Sequence, residues 1–204
     1  MTLVSQENRP PVTLKMNTKH EGDNTTMSLS DAAPDKGKNS LISARSIAIM
    51  AIFIALSAAA SFIKIPSPTG TVALDAAPGF FAAIAFGPVI GFIVIAVGHI
   101  LTSAMVGFPF TLPIHLVIAA GMGICALAYW YFARKIGKKS LVWLIVGAVV
   151  AALLNAFGVS LVVLPMGGWG MYMAVWPSLL VAGSINVVIA GIAFFAVRNS
   201  KLLD

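Results

Sequence analysis

The sequence predicts an all-α integral membrane protein, a bundle of six transmembrane helices with its N- and C-termini in the cytoplasm. Of its 204 residues, 59% are hydrophobic and only 10% are charged, against roughly 25% charged residues in soluble domains. The apolar residues form long continuous runs, whereas the strands of a membrane barrel alternate. The composition therefore excludes a soluble enzyme, a nucleic-acid-binding domain and a disordered regulator.

Each apolar run is assigned to one helix, because crossing a ~30 Å hydrocarbon core takes roughly 20 apolar residues. The run from 76 to 106 is too long for one crossing. It is divided at Gly87-Pro88, since proline disfavours helix in the residue before it and is common at a first helical position. The short second helix then needs shelter from its neighbours. The predicted helices comprise residues 44–63, 76–86, 88–106, 111–132, 141–164 and 172–197.

Basic residues set the predicted orientation through the positive-inside rule. They cluster before the first run, at 134–139 and after the last run. Only an even number of helices puts all three clusters in the cytoplasm, which predicts a multi-pass protein of the plasma membrane. Residues 44–198 are its membrane domain, residues 1–43 a polar tail with the composition of a disordered segment, and residues 199–204 a short cytoplasmic tail. The three outer connections are rich in Pro and Gly and lie at residues 64–75, 107–113 and 165–171.

Polar side chains inside the membrane concentrate in the outer halves of the predicted helices, which indicates an outward-facing pocket for a small, partly polar ligand. Simpler roles exist for each residue type. An Asn can bond a neighbouring helix, outer Trp and Tyr often belong to an interfacial belt, and an Asp can cap a helix. A buried His can also be satisfied within the core. The candidate binding residues are Asp75, His99, Thr102, His115, Asn155, Trp169, Tyr172 and Asn186.

The chain has no motif for catalysis or for its own energy supply. It contains no Walker motif, so it is not expected to be an enzyme or to hydrolyse ATP. His99 and His115 are on different predicted helices without a Cys or Glu partner, so neither a metal site nor a cofactor is expected. The lone Cys125 excludes an intrachain disulfide. The absence of an internal repeat and of a buried ionisable relay disfavours a self-sufficient carrier.

Small residues form a stripe along the first predicted helix. Ala44, Ala48, Ala51, Ala55 and Ala58 are spaced by four and three residues and so share one face, which Ala59 widens. Small residues allow another helix to approach closely in lipid. Packing within the bundle and docking onto a separate membrane protein both fit this stripe.

A set of spaced residues resembles the substrate-binding S components of energy-coupling-factor (ECF) vitamin transporters, and the likeness covers residues 44–197. The resemblance implies capture of a vitamin or precursor from outside, with the loop at 66–74 as a lid. It also implies docking through Ala51, Ala55 and Ala59 of the alanine stripe onto a transmembrane T subunit that is tied to two ATPase subunits. The residues that carry it read Leu74-Asp75-x-x-Pro78-x-Phe80-Phe81-x-Ala83, then Gly87-Pro88-x-x-Gly91, then His99.

The resemblance extends to one branch of that family. Residues 64–75, Gly98-His99 and residues 109–115 are similar to the branch assigned to cobalamin precursors such as alpha-ribazole. Riboflavin, pantothenate and thiamine-precursor branches stay open. Two other functions also stay open: a self-sufficient secondary transporter of a small organic solute, and a structural membrane protein without a ligand. For each of these functions the protein is expected to lie in the lipid bilayer, and no nucleic acid partner is expected.

Overall fold

The computed structural model describes residues 43–67, 70–138 and 140–199. The predicted tails, residues 1–43 and 199–204, lie outside this part of the chain except for Ser43 and Asn199. The described helices are α1 (Ala44–Ala60), α2 (Ala77–Phe86), α3 (Pro88–Met105), α4 (Leu112–Trp130), α5 (Leu141–Leu153) and α6 (Leu164–Val197), and the strands are β1 (Lys64–Ser67) and β2 (Gly70–Ala73).

Three helical stretches are long and apolar enough to cross a membrane: Pro88–Met105, Leu112–Ile136 and Leu141–Val197. Two shorter apolar helices, Ala44–Ala60 and Ala77–Phe86, accompany them. The stretch Leu141–Val197 has 57 residues, which is more than one crossing of a ~30 Å core requires at ~1.5 Å per residue. The count of six spans and the cytoplasmic placement of both termini stay predictions.

The predicted division at Gly87-Pro88 is confirmed. Helix α2 ends at Phe86, and α3 begins at Pro88. Between them Gly87 has φ 120°, a conformation that glycine adopts without the steric cost of a Cβ atom. The glycine therefore turns the chain, and the proline starts the next helix where its missing N–H is not needed.

The prediction of a continuous glycine-rich loop at 165–171 is wrong. Pro165 lies in the first turn of α6, and within the helix only Gly168 departs from helical geometry, with φ 62° and ψ −158°.

The predicted fifth helix is regular only over its first part. It continues as a π-helical turn at Leu154–Gly158 and a 3-10 turn at Val159–Val163.

The first outer connection contains a small β-hairpin that the helix-only prediction missed. Strands β1 and β2 pair antiparallel, with Lys64 opposite Ala73 and Ile65 opposite Val72. The Leu74 N–H donates to the Ile63 carbonyl at 3.0 Å, which closes the base of the hairpin. The hairpin therefore leads directly from the end of α1 to the turn before α2.

The core lies where α2, α3, α4 and α6 meet. Four of its large side chains are at most 1% exposed: Phe80, Ile84, Ile95 and Tyr129. The helices α2 and α3 approach so closely that a Cβ atom added at Gly91 would overlap the backbone of Ala83. The core thus fixes the relative position of the helices that carry the polar side chains described below.

Helix α1 packs against α3 on one side and is open on another. Ser57 is fully buried, and a Cβ atom added at Gly98 of α3 would lie 2.8 Å from the Ser57 Cβ. Ala51, Ala55 and Ala59 are all exposed. Ala51, Ala55 and Ala59 of the alanine stripe are therefore not used for packing within the described part of the bundle.

Candidate functional site

A cavity of about 310 Å³ opens beside the hairpin. Its walls come from the hairpin, the turn before α2, α3, α4, the irregular segment after α5, and α6. Because these elements are far apart in sequence, it is the fold that brings the polar side chains together. The predicted binding residues that line the cavity are Asp75, His99, Thr102, His115, Asn155 and Asn186.

Asp75 lies between β2 and α2 and is only 6% exposed. Burial raises the pKa of its carboxyl to about 6. Lys64 of β1 lines the same cavity. Among the described lining residues there is thus one acidic and one basic side chain, and their formal charges cancel when both are ionised.

Two histidines and a serine form a hydrogen-bonded cluster in the cavity wall. His99 Nε2 lies 3.1 Å from His115 Nδ1. Ser103 Oγ lies 2.9 Å from His115 Nδ1 and 3.3 Å from His99 Nε2. The sequence interpretation did not select Ser103, although its spacing of four residues from His99 places both on one face of α3.

The second ring nitrogen of His115 has no hydrogen-bond partner within the described residues. This Nε2 atom is buried, and His115 as a whole is 6% exposed. The ring is flanked by Phe108 and Phe110, whose centroids lie 5.7 and 6.1 Å away. A buried polar atom without a partner is costly. His115 Nε2 and the Thr102 Oγ1, which also lines the cavity without a partner, are therefore atoms that a ligand would satisfy.

The two asparagines differ in their partners. The Asn186 Oδ1 accepts from the Ala77 N–H at 2.8 Å, and its Nδ2 donates to the Ala182 carbonyl at 2.9 Å. Asn186 therefore joins the start of α2 to α6. Asn155 lies on the π-helical turn and makes one long contact, from Nδ2 to the Leu179 carbonyl at 3.4 Å. Turns of this type are frequent at functional sites.

Trp169 and Tyr172 are outside the residues that line the cavity. Trp169 is 66% exposed and packs edge-on against Tyr172, with ring centroids 5.6 Å apart. The Tyr172 hydroxyl donates to the Phe157 carbonyl at 3.4 Å. The structure thus gathers these two rings in a separate aromatic cluster, and their role in binding stays a prediction.

Within the described residues, His, Cys, Asp and Glu side chains do not form a group of three that could hold a metal ion. The cavity instead offers hydrogen-bonding groups on an apolar background that includes Ile118, Met122 and Val159. This arrangement suits binding of an organic molecule by shape and hydrogen bonds.

Comparison with known families decides the identity of the fold. The model of the family described as "ECF transporter, substrate-specific component" matches residues 45–198. The chain belongs to this family. It is an S component, a membrane protein of a transport system, and S components bind a small substrate and work with T and ATPase modules.

Two solved structures share the fold. One is described as the S component of a bacterial ECF transporter, with 22% identity and a TM-score of 0.54 over 76% of this chain and 93% of that one. Another is ThiT from Listeria monocytogenes, with 15% identity and a TM-score of 0.54 over 77% of this chain and 94% of that one. Comparison with curated proteins finds no match. At these identities the structures support the fold alone.

Proposed function

We propose that this S component captures a small, uncharged, heteroaromatic molecule with hydroxyl groups, and that alpha-ribazole is its best candidate ligand. The observation that carries the proposal is the buried His115 Nε2 atom, which has no partner among the described residues and belongs to the wall of the cavity. The cavity volume of about 310 Å³ is at the small end of the range for organic ligands.

The histidine cluster determines what His115 presents to a ligand. A neutral imidazole donates from one nitrogen and accepts at the other. If the Ser103 hydroxyl donates to His115 Nδ1, then Nε2 carries the proton and donates to the ligand. If His115 Nδ1 donates to Ser103, whose hydroxyl then donates to His99, Nε2 accepts instead. A ligand ring nitrogen accepts from the form in which Nε2 donates, and a sugar hydroxyl can pair with either form.

The charges around the cavity favour an uncharged ligand over a phosphate ester. Lys64 and Asp75 are its charged lining residues, and their opposite charges leave no surplus cation for a phosphate. The likeness of residues 64–75 to the alpha-ribazole branch supports a riboside in particular. Riboflavin, pantothenate and thiamine precursors are the competing ligands.

Transport requires partners, and we assign their docking to the alanine stripe. Ala51, Ala55 and Ala59 are exposed along α1, and small side chains permit close helix packing in a membrane. The expected partner is the transmembrane T subunit, joined to two ATPase subunits. The S component itself is expected in the plasma membrane, with both termini in the cytoplasm.

Thermal unfolding of the purified chain with a panel of vitamins and precursors tests the ligand. A ligand at ~100 times its Kd stabilises the folded state by about 2.7 kcal/mol. We expect alpha-ribazole to raise the unfolding temperature, and His115→Phe to abolish the rise. Tyr131→Phe is the aromatic control, because Tyr131 lies at the far end of α4 and outside the cavity, and it should respond as the native chain does. Stabilisation by a competing ligand alone, or an equal response of His115→Phe, would contradict the proposal.

Co-purification with the T and ATPase subunits tests the docking. We expect Ala55→Trp to abolish assembly and uptake while ligand binding by the isolated chain is retained, because the indole fills the space that the stripe leaves for a second helix. Val142→Trp is the control, since Val142 is 66% exposed on α5 and lies outside the stripe. Normal assembly of Ala55→Trp would exclude the stripe as the docking surface.

A further inference from the structure

The substrate cavity, which is the cavity of about 310 Å³ beside the hairpin, has two kinds of polar lining. One kind is a carboxyl group and a hydroxyl group, which belong to Asp75 before α2 and to Thr102 of α3. The other kind is the imidazole of His115 in the first turn of α4, next to the ring of Phe110. These two sets of side chains suit different parts of a ligand.

Asp75 is a hydrogen-bond acceptor that the fold removes from water. An ionised carboxylate has two oxygens with about four acceptor sites and no donor. Asp75 is 6% exposed, whereas Lys64 of the same cavity is exposed. The Lys64 ammonium group therefore keeps its water, and the Asp75 carboxylate loses most of its own. Burying a charged group is costly unless hydrogen bonds replace the lost water, so a ligand that donates to Asp75 gains from this burial.

The hydroxyl group of Thr102 needs a partner as well. Its Oγ1 is buried and makes no hydrogen bond within the part of the chain that the structure describes. A hydroxyl group donates one hydrogen bond and accepts others, so its best partner is a group that can also do both. A hydroxyl group of the ligand meets this condition.

Two neighbouring hydroxyl groups of a sugar match Asp75 and Thr102 together. Vicinal hydroxyls can both donate to the two oxygens of one carboxylate, and acidic residues bind the ribose hydroxyl of dinucleotide cofactors by the same chemistry. A sugar hydroxyl can also pair with the Thr102 hydroxyl. A cationic ligand group would also pair with Asp75, but it would leave the cavity with a net positive charge from Lys64.

The turn between α3 and α4 shapes the aromatic part of the cavity. Phe108 and Thr111 have φ values of 51° and 72°, which side chains of this bulk rarely adopt. The Phe108 N–H donates to the Ser103 carbonyl at 2.8 Å, and this bond holds the turn against α3. The turn thereby keeps Phe110 beside His115. A heteroaromatic ring fits there, with its face against apolar side chains and its polar edge at His115 Nε2.

One small ligand can reach both sets of side chains. Thr102 directly precedes Ser103 in α3, and the Ser103 Oγ lies 2.9 Å from His115 Nδ1. The carboxyl of Asp75 lines the same cavity of about 310 Å³. A ring joined directly to a sugar therefore has the right extent to contact both.

We propose that the cavity has two subsites, in which Asp75 and Thr102 bind a vicinal pair of sugar hydroxyls while His115 and Phe110 bind the heteroaromatic ring. This inference rests on the proposed function and extends it, because it makes the sugar hydroxyls a condition for tight binding. The ligand class is then a riboside, and the free base and the deoxyriboside are excluded as tight ligands.

Titration of the purified full-length chain with three related compounds tests the subsites. The compounds are alpha-ribazole, its 2′-deoxyribosyl analogue and its free base, which lacks the sugar. At pH 8 the Asp75 carboxyl is ionised, because burial raises its pKa only to about 6. We expect the native chain to bind alpha-ribazole at least about tenfold more tightly than the other two compounds, since each lacks a hydrogen bond to a charged group.

Variants of the first subsite assign this preference to its residues. Asp75→Asn should bind alpha-ribazole about tenfold more weakly, lose most of the preference over the 2′-deoxyribosyl analogue, and bind the free base as the native chain does. Unchanged binding of the free base also shows that the variant is folded. Thr102→Val should weaken alpha-ribazole binding several-fold, and Thr102→Ser is the matched control that keeps the hydroxyl and the native affinity.

The outcomes separate this inference from the proposed function. Equal affinity of the native chain for alpha-ribazole and its 2′-deoxyribosyl analogue would overturn the inference and leave the proposed function intact. The full preference retained in Asp75→Asn would also overturn it, as would an equal loss of free-base binding in that variant, which would give Asp75 a structural role. Binding of none of the three compounds would contradict the proposed function and the inference together.

Discussion

The two walls of the substrate cavity are built in different ways. One wall contains α3, a regular helix that touches α2 behind it through glycines. A Cβ atom at Gly79 would lie 2.5 Å from the Ile95 Cβ, and one at Gly91 would overlap Ala83. The other wall runs through the π-helical and 3-10 turns at Leu154–Gly158 and Val159–Val163. A Cβ atom at Gly158 meets nothing within 4 Å.

This difference indicates that the wall of regular helices is a rigid scaffold and that the irregular wall can change shape more easily. Backbones in direct contact cannot shift without losing the packing of the core, so the wall of α2 and α3 fixes Asp75, His99 and Thr102. The irregular wall lacks a continuous i→i+4 ladder, and the Ser160 hydroxyl donates back to the Ala156 carbonyl within it. We therefore expect ligand preference to vary through Asn155 and Ser160, and stability to depend on the other wall.

The largest expected effect is a substitution where the regular helices touch. Gly91→Val should reduce the free energy of unfolding by about 4 kcal/mol, because the added atoms overlap backbone that cannot rotate away. Gly158→Ala is the control on the irregular wall and should change stability by less than about 1 kcal/mol. Unfolding in detergent measures both, and equal losses would show that the two walls do not differ in packing.

The next effect is a pH dependence that arises from Asp75, at the start of the regular wall. Burial raises the pKa of its carboxyl from 3.8 to about 6, so between these values the folded state holds a proton that the unfolded chain has released. The contribution of Asp75 to stability should therefore fall as the pH rises from about 4 to about 6, and stay level above that. At pH 8 we expect Asp75→Asn to be more stable than the native chain by about 3 kcal/mol.

The comparison of the two proteins isolates Asp75, because Lys64, His99 and His115 line the same cavity in both. Unfolding free energies measured between pH 4 and 8 give the two curves. Parallel curves would show that Asp75 keeps its ordinary pKa in the folded protein.

The smallest effect distinguishes the two asparagines. Asn186→Leu should cost about 2 kcal/mol of stability, because it leaves the buried Ala77 N–H and Ala182 carbonyl without their side-chain partner. Asn155→Leu should cost less than about 1 kcal/mol, since its contact with Leu179 is long, and should instead weaken ligand binding. A larger loss of stability in Asn155→Leu, together with weaker ligand binding in Asn186→Leu, would contradict this assignment of roles.

Local rules explain which parts of the fold could be predicted from the sequence. Pro88 forces a boundary whatever surrounds it, and the division at Gly87-Pro88 followed. The meeting of Asp75, His99 and His115 could be predicted because all three were assigned to the same depth in the membrane. That assignment requires only the order and direction of the helices. Ser103 follows from the same spacing rule once His99 is placed.

Other features depend on packing that no local pattern encodes. Residues 165–171 are rich in glycine, and glycine permits both a loop and the single break at Gly168. The orientation of Trp169 and Tyr172 depends on that break, so their distance from the cavity was not predictable. The π-helical turn at Leu154–Gly158 carries Asn155 and Gly158 within an apolar run, and neither residue type encodes a π-helical turn by itself.

The uneven placement of charge has an electrical consequence. Arg45, Arg134, Lys135, Lys138 and Arg198 lie at the ends of helices away from the hairpin, whereas Lys64 and Asp75 cancel at the other end. Carrying one elementary charge through a membrane potential takes about 2.3 kcal/mol per 100 mV, so moving five charges across about 100 mV would take on the order of 10 kcal/mol. With both termini in the cytoplasm, as the sequence predicts, an inside-negative potential of this size would favour that orientation of the inserted protein, and depolarisation would remove this contribution without changing any contact.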